Sequence, residues 1–224
     1  LGWMAGKLQA LNSHFWPETV RALLIHSASW PEELKQQFIN DDSKTSHKTL
    51  LSICGYGVPD IDRAMYSAQN SLTMIAQAEL QPFGKKAAGG YRTLDMHLYE
   101  LPWPKDVLQS LPFGTPVEMR ITLSYFVEPG PGEIGWKDRY RYASHALRFE
   151  LNSPDESKTD FMKRVSVAAR DEDEGKPNTN SPSKHWVLGS QTRNKGSIHS
   201  DIWRGTAQEL AASNLVAITP TIGW

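Results

Sequence analysis

The sequence predicts an α+β protein with helices in its first 70 residues, followed by an antiparallel β-sandwich of jelly-roll-like architecture. Two observations support this prediction. Up to residue 70 the apolar residues recur every three or four positions, as on one face of a helix, whereas later segments alternate apolar and polar residues as a half-buried strand does. Because 224 residues exceed the usual size of one domain, we predict two, residues 1–70 and 71–224.

The first predicted helix lies in the opening stretch LGWMAGKLQAL, which is apolar almost all round. Its small residues share one face, at positions Gly2, Gly6 and Ala10. Two glycines inside a helix cost roughly 1 kcal/mol each relative to alanine, so we expect another backbone to approach this face closely. This pattern predicts a buried, central helix.

Three further features complete the helical part. Pro17 suits the first position of a helix over Pro17–Ser27, with Val20, Leu23, Leu24 and Ser27 on its buried stripe. Pro31 repeats this proline start, and a third amphipathic helix is predicted over residues 60–68. The polar segment NDDSKTSHK, residues 40–48, is interpreted as an exposed loop.

Strands are predicted after residue 70. The clearest alternation is VEMRITLSYFV, which places Val117, Met119, Ile121, Leu123 and Tyr125 inward and Glu118, Arg120, Thr122 and Ser124 outward. Further strand candidates are residues 71–80, 91–101, 142–151, 185–191 and 214–222. Ser153 and Pro154 predict a short helix over residues 154–165, and the polar stretch 171–184 is expected to be mobile.

Composition excludes several classes of function. The chain has 24 basic and 25 acidic residues and a net charge of −1, so no global field favours nucleic acid or an anionic membrane. No apolar run is long enough to span a membrane. The one cysteine, Cys54, excludes an internal disulfide and leaves the redox compartment open.

Three motifs of the first 70 residues, taken in order and with their spacing, resemble the C-terminal end of a subtilisin-like serine protease domain. They are the small-residue helix LGWMAGKLQAL, the segment WPETVRALLIHSA that ends at Ala28, and GYGVPDIDRAM. In the last motif, the positions that match the family are Gly55, Gly57, Val58, Pro59, Asp60 and Ala64. The match covers about a third of the chain, and the β-rich remainder resembles only loosely the C-terminal domains of larger members.

The resemblance implies that residues 1–70 are the helical C-terminal remnant of an α/β catalytic domain. The family's nucleophilic serine would lie in a Gly-Thr-Ser motif one or two helical turns before Leu1, and its histidine and aspartate would lie further upstream. The partners implied are therefore the missing catalytic portion and, in the parent protein, a protein or peptide substrate. The chain alone is expected to hydrolyse no peptide bond.

An alternative from another class is a non-catalytic β-sandwich module that binds a peptide, a glycan or a partner protein. A role of the β-domain in substrate binding, in folding or in docking a partner also stays open. The residues encoded upstream of Leu1 distinguish the protease from the stand-alone module.

The segment GSIHSD places Ser197, His199 and Asp201 on one face of a predicted strand, where neighbours stand about 7 Å apart. That separation is too wide for the relay hydrogen bonds of a catalytic triad, so we expect a structural role. A metal site built from His199, Asp201 and His185 lacks a compact ligand motif.

The other candidate residues also have a structural interpretation that we favour. His26 is expected to be a core or boundary residue, the alternative being a place near the missing active site. Trp103 and Trp136 are expected to pack between sheets, the alternative being an aromatic ligand platform. The acidic run RDEDEG lacks the spacing of a calcium site and is interpreted as a solvated loop. We therefore assign no catalytic, cofactor-binding or metal-binding residue and expect no cofactor.

Overall fold

A computed structural model describes residues 1–70, 72–85, 91–93, 95–126, 146–173 and 184–221. It is 44% helical and 22% strand, which confirms the mixed α+β class, and its described residues form no closed barrel. The helices are α1 (Gly2–Leu11), α2 (Pro17–Ser27), α3 (Glu32–Phe38), α4 (Lys44–Cys54), α5 (Ile61–Gln69), α6 (Lys105–Ser110), α7 (Lys158–Asp173), α8 (Ser190–Arg193) and α9 (Ala207–Ala212). The strands are β1 (Phe83–Lys85), β2 (Tyr91–Thr93), β3 (His97–Glu100), β4 (Pro116–Ser124), β5 (Ala146–Leu151), β6 (Ile198–Thr206) and β7 (Leu215–Thr221).

The chain divides into two compact units. The first unit comprises Leu1–Gln77, Pro116–Ser124 and Ser183–Gly205, and the second comprises Ala78–Thr115, Tyr125–Pro182 and Thr206–Trp224. The first unit thus combines the N-terminal helices with two segments from much later in the chain. The predicted domains 1–70 and 71–224, and the predicted sandwich, stay predictions.

The predicted core of the first unit agrees with the structure around α2. This helix begins at Pro17 and ends at Ser27, as predicted, and all four residues of its predicted stripe are buried. Three of them, Val20, Leu23 and Leu24, share a core with Leu8, Phe15 and Ala64. Helix α5 begins one residue later than predicted because the Asp60 carboxylate caps it, accepting from the N–H groups of Asp62 and Arg63.

Helix α1 forms as predicted, but it is mostly exposed in this chain, and its burial beside a sheet stays a prediction. Leu8 is its buried residue, while Leu1 is 78%, Trp3 68% and Leu11 57% exposed. A Cβ added at Gly2 or Gly6 meets nothing within 4 Å among the described residues. The backbone expected to approach the glycine face is therefore absent from the described part of the chain.

The loop predicted over residues 40–48 is largely helix. Ser43 caps α4 by accepting a hydrogen bond from the Ser46 N–H (3.2 Å). The hydroxyls of Ser43 and Ser46 both donate to Asp41 Oδ1, at 2.6 Å each. Local capping thus starts a helix in a segment whose composition is typical of a loop, and His47 and Leu50 bury its inner face.

Strand β4 confirms the alternating segment and pairs with β6 in a two-stranded sheet. Of the five residues predicted to point inward, Met119 and Tyr125 are buried, and Val117, Ile121 and Leu123 are half-buried. The opposite face, predicted to point outward, is half-buried from Arg120 to Ser124 because α2 packs on it. Arg21 Nε donates to Ser124 Oγ (2.9 Å), so the polar face of the strand meets a polar face of the helix.

The second unit contains an antiparallel sheet of order β3-β7-β5 and an antiparallel pair β1-β2. Residue His97 of β3 and Phe149 of β5 both stand opposite Ile218 of β7, which fixes the register. Helix α7 packs on β7, where Phe161 and Val165 form a core with Ala217. Thr206 and Glu209 form a capping box at the start of α9.

Four local predictions are wrong. Residues 72–80 of the first strand candidate are not strand, and residues 185–191 contain a single bridge at Trp186 followed by the start of α8. The helix predicted over 154–165 begins at Lys158 instead, because Ser157 and Asp160 cap it, and it runs to Asp173. The first four residues of RDEDEG are therefore helical, whereas Trp136 and most of the stretch expected to be mobile lie outside the described residues.

A cavity in the first unit

A cavity of about 510 Å³ opens in the first unit. The end of α2 and the helices α3, α4 and α5 contribute residues to its lining, as do β4, β6 and the segment before α8. Its volume falls within the range of small-molecule sites. The lining combines apolar side chains such as Trp30 and Ile202 with both signs of charge.

A chain of polar side chains runs from α2 to this cavity. His26 Nδ1 lies 3.1 Å from Thr122 Oγ1, which lies 2.8 Å from Ser200 Oγ. The Ser200 N–H donates to Tyr56 Oη (3.2 Å), and the Tyr56 hydroxyl donates to the Ile198 carbonyl (3.3 Å). Burial raises the pKa of Tyr56, so its hydroxyl stays protonated and acts as this donor at neutral pH.

This chain of side chains is not a nucleophile with its general base. The Thr122 hydroxyl stands between Ser200 and the His26 ring, so the imidazole does not contact the serine. Burial, together with the charges of Arg120 and Arg63, lowers the pKa of His26 from 6.5 to about 4. A base with so low a pKa draws a proton from a serine only weakly at neutral pH. The contacts therefore join α2 to the sheet.

Lowering the pH is expected to destabilise the protein through His26. Between pH 6.5 and about 4 an unfolded His26 binds a proton that the folded one does not, so the free energy of unfolding falls as the pH drops through this window. We expect about 2 kcal/mol of loss between pH 7 and pH 5 from urea unfolding. His26→Gln, which keeps a group able to bond Thr122, should remove this part of the pH dependence; an unchanged profile would contradict the assignment.

Asp201 occupies a buried position beside the cavity. Its carboxylate accepts hydrogen bonds from the N–H groups of Leu188, Gly189 and Ile202, each at 2.9 Å. Arg193 Nη1 lies 3.4 Å from Asp201 Oδ2, and both side chains are fully buried. The Arg193 guanidinium also lies over the Trp186 ring, 4.6 Å from its centroid. This cluster holds the segment before α8 against β6.

The structure gives the GSIHSD residues the structural contacts expected of them. Ser197 accepts hydrogen bonds from Arg21 at its hydroxyl (3.2 Å) and its carbonyl (2.5 Å). His199 is fully buried, and its Nε2 lies 3.0 Å from the Gly196 carbonyl. His185 stacks on Trp203, with 5.1 Å between the rings. No group of three or more potential metal ligands occurs among the described residues.

Of the two tryptophans proposed for a packing or platform role, the structure describes Trp103. Its indole Nε1 donates to the Ser213 carbonyl (3.2 Å) in the second unit. The side chain is half-buried, and its packing between sheets stays a prediction.

Sequence reasoning missed the two arginines that line the cavity, Arg63 and Arg120. Arg63 lies on the exposed side of α5, where a cation needs no explanation. Arg120 lies on the face of β4 that the sequence predicted to be exposed to solvent. Arg120 carries no local signal, because α2, which packs on β4, belongs to a distant part of the sequence.

Comparison with known proteins identifies no relative: no protein-family model, curated protein or solved structure matches the chain. Within the described ranges, none of the helices is both long and apolar enough to cross a membrane.

Proposed function

We propose that this chain is the C-terminal portion of a subtilisin-like serine endopeptidase, with the nucleophilic serine on a segment preceding Leu1. In the parent protein, peptide-bond hydrolysis would use that serine, a histidine base and an aspartate, all outside this chain. The β-rich part would be the antiparallel sandwich that larger members carry after the catalytic domain. The chain alone contributes structure to the enzyme and no catalytic residue.

The uncovered face of α1 is the observation that carries this proposal. Gly2, Gly6 and Ala10 are all exposed, and Trp3 and Leu11 stand beside them. An apolar helix with two glycines is costly as a surface element and favourable where a sheet packs closely against it. The central helix of a subtilisin-like domain has such a sheet as its neighbour.

The contact between the Gly-x-Gly turn and the end of α2 also supports the proposal. The N–H of Ser29 donates to the Val58 carbonyl (3.0 Å), and the N–H of Val58 donates to the Ser29 carbonyl (2.9 Å). Gly57 has φ +91°, and a Cβ there would collide with the Ser29 carbonyl. The glycine that matches the family motif is thus required by close approach of two backbones.

A fluorophosphonate serine probe tests the proposal. The 224-residue chain should remain unlabelled, whereas a protein extended to include the upstream reading frame should be labelled at a serine in a Gly-Thr-Ser segment. Replacing that serine by alanine should abolish both labelling and peptidase activity. Labelling of the 224-residue chain itself, at Ser200 for example, would overturn the proposal, as would an upstream frame without the motif.

The substitution Gly6→Ala should have opposite effects in the two proteins. In the 224-residue chain it removes the helix penalty of glycine and meets no described neighbour, so the free energy of unfolding should rise by about 0.5–1 kcal/mol. In the extended protein the added methyl group should clash with the proposed sheet and destabilise it. Urea unfolding of both pairs measures the difference, and equal stabilisation in both would argue against a covering sheet.

The cavity of the first unit favours a second candidate, a non-catalytic binding module for a peptide, a glycan or a partner protein. The cavity is lined by described residues of one unit, so ligand binding there needs no upstream segment. A stand-alone module would be stable and monomeric. Self-association through α1, measured by light scattering together with binding of an apolar dye, would favour the protease portion instead.

A further inference from the structure

We propose that the cavity of the first unit binds the carboxylate of a small organic acid through Arg63 and Arg120. This site goes beyond the proposed function, because it needs neither the upstream segment nor a catalytic serine. Both arginines line the cavity, one from α5 and the other from β4.

Arg120 is held in a fixed orientation. Its Nη1 donates to the carbonyls of His26 and Ala28, at 2.6 Å each, where α2 ends. Its Nε and Nη2 groups make no hydrogen bond to any described residue. A guanidinium anchored along one side presents the other as a planar fork that matches a carboxylate.

Arg63 adds a second guanidinium with no described hydrogen bond or ion pair at its side chain. It is close enough to Arg120 to act on it electrostatically, and burial and the Arg63 charge together lower the pKa of Arg120. The two cations therefore repel each other, although Glu118 and Asp201 offset part of this effect at Arg120. An anion between them would relieve this repulsion.

The other cations of the cavity already have carboxylate partners. Lys35 Nζ lies 3.1 Å from Glu32 Oε2, and Arg204 Nε lies 2.7 Å from Glu118 Oε1. Asp201 receives its three backbone hydrogen bonds and the charge of Arg193. Among the described cations of the cavity, Arg63 and Arg120 are thus the two without a carboxylate in direct contact, while Glu118 and Asp201 act on Arg120 from a greater distance.

The other lining residues favour a ligand that has a single negative charge and an apolar body. Among the described residues, four carboxylates line the cavity, namely those of Glu32, Asp42, Glu118 and Asp201. Their field disfavours a dianion such as phosphate more than a monoanion. The apolar lining, which includes Trp30, Ile39, Val187 and Ile202, suits a hydrocarbon or aromatic body next to the carboxylate.

The probe for this site is 3-phenylpropionate, and the readout is the change in backbone amide chemical shifts of the 224-residue chain. We expect saturable shifts confined to cavity residues, with binding at least tenfold weaker for the neutral 3-phenylpropionamide and for phenyl phosphate. Raised salt should also weaken binding. The absence of saturable binding, equal affinity for the amide, or tighter binding of phenyl phosphate would each overturn the proposal.

Variants locate the carboxylate contact. Arg63→Gln should weaken 3-phenylpropionate binding at least tenfold, and Arg170→Gln, the same change at an exposed arginine on α7 in the second unit, should leave it unchanged. Arg120→Lys keeps the charge and loses the fork, so it should also weaken binding. Unchanged affinity in both cavity variants would overturn the proposal. A negative serine-probe result for the extended protein would leave this binding in place, so the two proposals fail separately.

Discussion

Asp201→Ala will lower the free energy of unfolding by about 3–5 kcal/mol, the usual cost of removing one partner from a buried ion pair. The substitution leaves the fully buried Arg193 without its carboxylate and removes the acceptor of three backbone N–H groups. Buried donors left without an acceptor keep their full desolvation penalty. Chemical denaturation of the variant and of the parent chain measures the effect.

The matched control is Asp95→Ala, the same change at an exposed aspartate outside any helix or strand. It should alter stability by less than about 0.5 kcal/mol. A loss at Asp201 no larger than at Asp95 would mean that the buried cluster does not stabilise the first unit. Asp201→Asn keeps an acceptor oxygen for the backbone N–H groups. Its loss in the free energy of unfolding should therefore lie between the losses of Asp201→Ala and Asp95→Ala.

Gly57→Ala should lower the free energy of unfolding by about 3–4 kcal/mol, because two penalties act together. An alanine at φ +91° is strained, and its Cβ would collide with the Ser29 carbonyl. Relief requires the two backbones to separate, which breaks the paired hydrogen bonds between Ser29 and Val58. Thermal and urea unfolding both report the loss.

Gly55→Ala separates the strain from the collision. Gly55 also has a positive φ, +58°, but an added Cβ there meets nothing within 4 Å among the described residues. We expect a loss of about 1–2 kcal/mol from backbone strain alone. If Gly55→Ala and Gly57→Ala lower the free energy of unfolding equally, the collision with the Ser29 carbonyl adds nothing to the cost of backbone strain.

Sequence reasoning succeeded where local chemistry decides the structure. Pro17 at the first position of α2 and the Asp60 cap of α5 are signals carried by one or two residues. The alternation of β4 predicted a strand correctly, because apolar side chains at every second position share one face of a strand. The mixed fold class followed from the same periodicities.

The errors arose where distant residues decide the structure. Residues 72–80 alternate as a strand does, yet Gln77 accepts at its Oε1 from the Trp16 N–H (2.7 Å) and the Thr19 hydroxyl (2.6 Å) and so caps the start of α2. A period of two distinguishes the two faces of a strand and does not say what covers each face. The cavity and its two arginines depend on that covering, so no pattern along the chain predicted them.

The hydrogen bonds of Arg21 affect when the first unit can fold during synthesis. They join α2 to Ser124 and Ser197, which lie 103 and 176 positions further along the chain. Contacts of such separation slow folding, because long loops must close before any stabilisation is gained. During translation the first unit therefore cannot complete its structure until the chain has left the ribosome as far as Gly205, about 130 residues after the helices of Leu1–Gln77.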